Sequence, residues 1–125
     1  MRLRLRSRSS DLSGDSEPQP EPQPRPAIFA AGMIIGLCTV ELYIPDGHSL
    51  KAKRQVLLSL KDRLRDKFNV SVAEVGDLEL WQKAVLGIAC VANEGVHVNQ
   101  VLDQAVNLIR SVPTIEVVQF RIELL

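Results

Sequence analysis

Residues 34–49 have the sequence IIGLCTVELYIPDGHS, and the interpretation of the chain begins from this segment. Ile34–Ile44 consists almost entirely of apolar or β-favouring residues, which predicts a strand. Pro45-Asp46-Gly47 then supplies residues typical of a tight turn, and Ser49 offers a hydroxyl that can cap a helix. The segment therefore predicts a strand, a turn and the start of a helix.

The first helix is expected to end near Phe68, because apolar residues recur at helical spacing until that point. Asn93 is expected to cap a second helix and Pro113 to end it. The buried face of the first helix is predicted to contain Leu50, Leu57, Leu60, Leu64 and Phe68. The later elements are the strands Val70–Val75 and Lys83–Ala92, a helix with Val98, Val101, Leu102, Ala105, Leu108, Ile109 and Val112 on its apolar side, and the strand Ile115–Leu124.

The predicted order is strand, helix, strand, strand, helix, strand. It is typical of the ferredoxin-like split βαβ arrangement, an α+β fold in which a four-stranded antiparallel sheet carries both helices on one face. Alternation along the strands assigns Cys38, Val40, Leu42, Leu86, Ile88, Val118, Phe120 and Ile122 to the helix-covered face. The same alternation assigns Ile35, Leu37, Thr39, Tyr43, Val85, Ala89, Val91, Ile115 and Val117 to the open face.

Residues 1–32 differ in composition from the rest of the chain. Five of the seven prolines fall between positions 18 and 26, and proline at every second position favours extended, solvated chain without an apolar face. Acidic residues at positions 11, 15, 17 and 21 argue against a targeting segment. We interpret residues 1–32 as a disordered Pro-rich tail or a spurious N-terminal extension, with translation starting at Met33, and residues 33–125 as a single ferredoxin-like domain.

The composition excludes several classes of protein. The chain has 125 residues, of which 46% are hydrophobic, and 15 Lys plus Arg balance 15 Asp plus Glu. A near-neutral domain is not a globally basic nucleic-acid binder, and two cysteines are too few for a disulfide scaffold or a cysteine-only metal site. The apolar run after Pro26 is too short to span a bilayer. We expect a cytoplasmic protein with no membrane or DNA partner.

No residue is assigned a catalytic, metal-binding or cofactor-binding role, and the protein is not expected to be an enzyme. Cys38 and Cys90 are expected to point into the core, where a thiol behaves as a small hydrophobic group. His48 is interpreted as a turn residue, and His97 has no partner at metal-ligand spacing. The acidic residues interpreted as solvated loop charges are Glu74, Asp77 and Glu79.

Three segments of the chain resemble one known family. Ser49–Arg54 (SLKAKR), Phe68–Val75 (FNVSVAEV) and Leu80–Gly87 (LWQKAVLG) are together similar to the YlxP-like family of small bacterial proteins, and the likeness covers residues 33–125. The family is a domain of unknown function, so the resemblance implies a fold more than an activity. Its members are often encoded beside a translation initiation factor and ribosome-binding factor A, which implies a role in ribosome assembly or translation.

Basic residues recur on one side of the first helix at spacings of three and four, around the apolar Leu58. Several lie in the first turns, where the helix dipole disfavours cations. An anionic partner such as RNA phosphate would offset this cost, whereas the alternative is a solvated face paired with Asp62 and Asp66. The residues predicted to bind RNA are Lys51, Lys53, Arg54, Lys61 and Arg65.

The open face of the predicted sheet is more apolar than a water-facing sheet normally is. Contiguous apolar patches mark interfaces, and a second copy of the chain in a two-fold homodimer is the simplest cover. The alternative is a monomer in which the loop that carries Trp81, the only tryptophan, folds back over this face. The predicted interface residues are Leu37, Trp81, Val85, Ile115 and Val117.

Two classes of function remain. The first is a non-enzymatic, ribosome- or translation-associated factor that contacts ribosomal RNA, or a ribosome-assembly or translation protein, through the basic first helix. It is not expected to bind RNA on the sheet, because the strand Lys83–Cys90 lacks the aromatic residues that an RNA-recognition motif stacks on bases. The second is an ACT-like small-ligand-binding or regulatory module that works as a dimer, with its ligand near Pro45–Ser49.

Overall fold

The computed structural model describes residues 18, 20 and 32–125, so the predicted tail lies almost entirely outside the described residues. The elements are β1 (Ile34–Tyr43), α1 (Leu50–Lys67), β2 (Ser71–Gly76), β3 (Lys83–Ala92), α2 (Gly95–Arg110) and β4 (Glu116–Leu124). The strands form one antiparallel sheet in the order β2-β3-β1-β4. The predicted α+β ferredoxin-like fold is confirmed.

The two central strands bury alternate residues, as the sequence predicts. Every second residue is buried from Gly36 to Leu42 in β1 and from Ala84 to Cys90 in β3. These side chains form one apolar cluster with the inner faces of both helices. A Cβ at Gly36 would collide with side chains of α2, so the absence of a side chain there lets α2 pack closely on β1.

The edge strand β4 contains a one-residue bulge that changes its face assignment. Glu41 pairs with Gln119 but the next residue, Leu42, pairs with Val117, which leaves Val118 as the extra residue. A bulge resets the two-residue alternation of a strand. Val118 is therefore 62% exposed rather than buried under the helices as expected.

The same bulge makes two predicted interface positions wrong. Val117 lies opposite the buried Leu42 and packs against the core, and Ile115 is 4% exposed. Both residues were expected on the open face. Val117 lies on the helix-covered side because paired residues of neighbouring strands share a face, and Ile115, two residues earlier, is part of the same buried core.

The other edge strand, β2, also contains a bulge. Glu74 pairs with Leu86 and Gly76 pairs with Val85, so Val75 is the extra residue. Like Val118, it is exposed. Each edge of the sheet is thus interrupted by one exposed valine.

The two helices begin in different ways. Ser49 is the N-cap of α1, and its Oγ accepts a hydrogen bond of 3.0 Å from the backbone N–H of Ala52, as predicted. The N-cap of α2 is Glu94 rather than Asn93, and its side chain makes no capping hydrogen bond. Among the residues that the structure describes, no helix is both long and apolar enough to cross a membrane.

Candidate functional site

The first half of α1 presents three side chains that are available to a partner, Lys51, Arg54 and Leu58, which we call the outer stripe. Lys51 and Arg54 are exposed, and neither forms an ion pair with any residue in the range 32–125. Leu58, one turn after Arg54, is 55% exposed. The outer stripe therefore combines unpaired positive charge with apolar surface.

The second half of the predicted basic stripe is less available. Lys61 is half-buried. Arg65 is engaged within the fold, because its Nη2 donates to the carbonyl of Val72 at 3.2 Å and its Nη1 lies 3.7 Å from Asp62 Oδ1. A ligand at Arg65 would have to compete with these contacts.

Lys53 is not a surface residue. Its side chain is fully buried, and its ammonium lies 2.9 Å from Glu74 Oε2. It also donates to the backbone carbonyls of Asp77 at 2.9 Å, Lys83 at 3.1 Å and Leu78 at 3.5 Å. Lys53 is therefore removed from the predicted RNA-binding set, because its charge is buried and already compensated.

Glu74 is the counter-charge of Lys53 and not the solvated loop charge expected from the sequence. Its side chain is 15% exposed. Within residues 32–125, no hydrogen bond of regular geometry reaches Glu74 Oε2, so the nearby ammonium is what compensates its charge. Removing either partner would leave the other charge buried and unpaired. The Lys53–Glu74 ion pair and the three hydrogen bonds to carbonyls hold the loop between β2 and β3 against the first turn of α1.

The loop at residues 77–82, which we call the 77–82 loop, exposes three large apolar side chains. Leu78, Leu80 and Trp81 are 51%, 47% and 53% exposed. The sequence predicts that Trp81 anchors this loop on an apolar surface or a second subunit, but within this chain its indole is not buried. The loop is instead held by its backbone, since Ile44 N–H donates to the carbonyl of Gln82 at 2.8 Å.

A cleft of about 590 Å³ lies between the 77–82 loop and the turn from β1 to α1. Gly47 allows the two segments to approach, because a Cβ there would overlap the carbonyl oxygen of Trp81. None of the lining residues carries a carboxylate. They are Tyr43, Gly47, His48, Leu80, Trp81, Gln82 and Lys83. The sequence places a ligand near Pro45–Ser49 only by likeness to ACT-like modules, and it does not predict the participation of the 77–82 loop.

The open face of the sheet is apolar around Leu37 and Val85 and polar along β4. Leu37 and Val85 are half-buried on this face, as predicted. The residues that β4 contributes beside β1 are polar or charged, because Gln119, Arg121 and Glu123 pair with Glu41, Thr39 and Leu37. The face is thus less apolar than expected, and the homodimer stays a prediction.

The two cysteines lie in the core, as predicted. Cys38 and Cys90 are 1% and 4% exposed. Burial, with a smaller contribution from Asp103, raises the pKa of the Cys38 thiol to about 11, and burial also raises the pKa of Cys90. A raised pKa disfavours the thiolate, so neither side chain has the properties of a nucleophile.

The two histidines do not come together in a metal site. His48 Nδ1 lies 3.1 Å from the carbonyl of Asp46, within the turn where the sequence predicts it. His97 is exposed on α2. In the part of the chain that the structure describes, no three His, Cys, Asp or Glu side chains are grouped as metal ligands.

Comparison with known proteins agrees with the resemblance seen in the sequence. Residues 35–122 match the family described as "Protein of unknown function (DUF503)". The chain is 40% identical over 83 residues to the uncharacterized protein YlxP of Bacillus subtilis (strain 168), an alignment that covers 66% of this chain and 90% of that protein.

Among solved structures, the chain is similar to the de novo designed protein Foldit4, with a TM-score of 0.44, 9% identity and coverage of 73% of this chain and 96% of that one. It is also similar to a C-terminal segment of the alpha subunit of aIF2 from Pyrococcus abyssi, with a TM-score of 0.43, 15% identity and coverage of 74% and 49%. From the family match and the YlxP identity, the chain belongs to the YlxP-like DUF503 family.

Proposed function

We propose that this protein is a non-enzymatic, cytoplasmic binding factor that contacts RNA through the outer stripe of α1, in association with the ribosome or the translation machinery. One observation carries the proposal. Lys51 and Arg54 stay exposed in the first turns of α1, where the helix dipole opposes positive charge and no acidic residue occupies the first turn. A phosphate bound there would compensate both cations.

The arrangement of the outer stripe suits a partner better than bulk water. Leu58 lies one turn beyond Arg54, so an apolar contact is available beside two phosphate contacts. Ribosomal RNA fits this combination, and a ribosome-assembly or translation protein with an acidic surface is the related alternative. The genomic neighbours implied by the YlxP-like resemblance support the same setting.

The proposal is tested by filter-binding titration of ribosomal RNA fragments at several salt concentrations. The Lys51→Glu plus Arg54→Glu variant should bind weakly at every concentration. For this variant, the slope of log K against log salt concentration should be less negative by about two. Each lost contact between a lysine or arginine and a phosphate removes about one unit from that slope. No binding by the unmodified protein at low salt would overturn the proposal.

A matched control separates local contacts from net charge. Arg63→Glu plus Lys67→Glu makes the same change in net charge on the same helix, at exposed positions away from the outer stripe. It should bind RNA nearly as well as the unmodified protein does. Equal loss in both double variants would mean that only overall charge matters, and the outer stripe would not be the contact surface.

A second candidate function is an ACT-like module that binds a small ligand as a dimer. The cleft beside Gly47 and His48 favours it, because this is the turn where such modules hold ligands. A thermal-shift screen with amino acids and nucleotides tests it, since a ligand that binds only the folded state must raise its stability. Light scattering of the unmodified protein and of Leu37→Glu plus Val85→Glu tests the dimer.

A further inference from the structure

The indole of Trp81 is exposed on a backbone that is held on both sides. Before it, Leu80 N–H donates to the carbonyl of Asp77 at 3.1 Å, and Lys53 binds that same carbonyl. After it, Gln82 Nε2 donates to the carbonyl of Pro45 at 3.0 Å. A large aromatic surface on a fixed backbone loses little conformational freedom when it binds a flat ligand. This is the property of a stacking platform.

The cleft beside Trp81 has the size and chemistry of a site for a ligand that combines a planar ring with an anionic group. Its volume of about 590 Å³ lies within the range of about 300–1,000 Å³ that is usual for small-ligand sites. Tyr43 and Lys83 are cross-strand partners that both line the cleft, and they supply a second aromatic ring and an ammonium. His48 adds an imidazole to the lining. No carboxylate is among the residues that line the cleft.

The outer stripe begins close to the cleft along the chain, but it faces away from the sheet, whereas Tyr43 and Lys83 of the cleft lie on the open face. Lys51 follows His48 by three residues, so their Cα atoms lie within about 11 Å of each other. A strand of nucleic acid with a base in the cleft would therefore bring its adjoining phosphate to Lys83 rather than along the outer stripe. Double-stranded RNA cannot offer a base in this way, whereas unpaired RNA can.

We infer that the cleft binds an unpaired base of single-stranded RNA, with the base stacked on Trp81 and the adjoining phosphate at Lys83. The inference rests on the proposed function and specifies its substrate class. Base–aromatic stacking is tolerant of sequence, since every base has a π-face. The protein should accordingly discriminate strand state more than base identity.

Trp81 itself provides the test, because it is the only tryptophan of the chain and intrinsic fluorescence reports on it alone. A labelled single-stranded oligoribonucleotide of about ten nucleotides is titrated while label anisotropy and tryptophan fluorescence are recorded together. We expect the fluorescence to be quenched in step with binding. The same strand annealed into a duplex should bind weakly and leave the fluorescence unchanged.

Two variants of Trp81 measure the contribution of stacking. Trp81→Leu keeps an apolar side chain without an aromatic face and should lower affinity for the single strand about 5- to 150-fold. Trp81→Phe keeps an aromatic face and should retain most of the affinity. Because the side chain is exposed, both variants should melt close to the temperature of the unmodified protein, which circular dichroism verifies.

The outcomes separate this inference from the proposed function. If the single strand binds through Lys51 and Arg54 but the fluorescence is unchanged and Trp81→Leu binds equally well, the inference is wrong and the proposed function stands. If adenosine monophosphate alone quenches Trp81 to saturation while the oligonucleotide does not bind, the cleft is a site for free nucleotides and the RNA inference is overturned. If neither probe binds, the inference is wrong, and the filter-binding titration with ribosomal RNA fragments decides the proposed function separately.

Discussion

Lys51 and Lys53 lie two residues apart in the first turn of α1, yet their surroundings are opposite. Lys51 is exposed and has no ion-pair partner within residues 32–125, whereas Lys53 is fully buried and contacts a carboxylate and three carbonyls. Two positions along a helix correspond to a rotation of about 200°, so neighbouring lysines point to opposite sides. The inner side of this turn holds the fold together, and the outer side stays exposed.

The largest effect is expected on the inner side. Lys53→Met should lower the free energy of unfolding by about 3–5 kcal/mol, because it leaves Glu74 buried without its counter-charge. Urea denaturation at neutral pH measures the loss. Lys51→Met, the same substitution on the outer side, should change the free energy by less than about 0.5 kcal/mol. Equal losses of unfolding free energy in the two variants would contradict the difference between the two sides.

The next effect concerns the contact between the two loops that border the cleft. Gly47→Ala should destabilise the protein by about 1–3 kcal/mol, because the new Cβ would meet the backbone carbonyl of Trp81 and one loop must shift. Thermal unfolding measures the cost, and the emission of Trp81 reports the shift. An unchanged melting temperature and spectrum would mean that the loops are not held against each other.

A smaller loss is expected at the helix cap. Ser49→Ala should lower stability by about 1 kcal/mol, because the backbone N–H of Ala52 loses its acceptor. Glu94→Ala at the N-cap of α2 is the matched control, since that side chain makes no capping hydrogen bond. Urea denaturation of both variants should separate them. A control as destabilised as Ser49→Ala would contradict the assignment of the cap.

The smallest effect on stability is expected on the outer side of the first turn of α1, and it is a gain and not a loss. Lys51→Glu should stabilise the protein by roughly a few tenths of a kcal/mol, because a carboxylate in the first turn suits the helix dipole. The gain should shrink with added salt, since the position is exposed. Thermal unfolding at low and high salt measures it. A loss of stability would show that Lys51 contributes to the fold and is not reserved for a partner.

Most of the fold could be predicted from the sequence, because hydrophobic periodicity and turn residues mark each element. The six elements and the alternation in β1 and β3 were predicted correctly. The faces of Ile115 and Val117 were not, because a bulge depends on how two strands pair and strict alternation cannot reveal it. The N-cap of α2 is Glu94, one residue after the predicted Asn93, and its side chain makes no capping hydrogen bond.

The candidate site could be predicted only in part. The sequence did carry a signal for Lys53, which lies four, seven and eleven residues before Leu57, Leu60 and Leu64 and therefore on their buried face. The cleft at Trp81 carried no comparable signal. It exists because the 77–82 loop and the β1–α1 turn meet in space, and that meeting follows from the sheet order and not from any local pattern.

The bulges at Val75 and Val118 affect how this sheet behaves at high protein concentration. Exposed edge strands are templates on which other chains can add in register, and this is a common start of aggregation. Here both edges, β2 and β4, are interrupted by an extra residue, so an incoming strand cannot continue a regular ladder along either one. The edge strands can therefore expose valine side chains without offering an uninterrupted row of backbone hydrogen-bonding groups on which fibrils could grow.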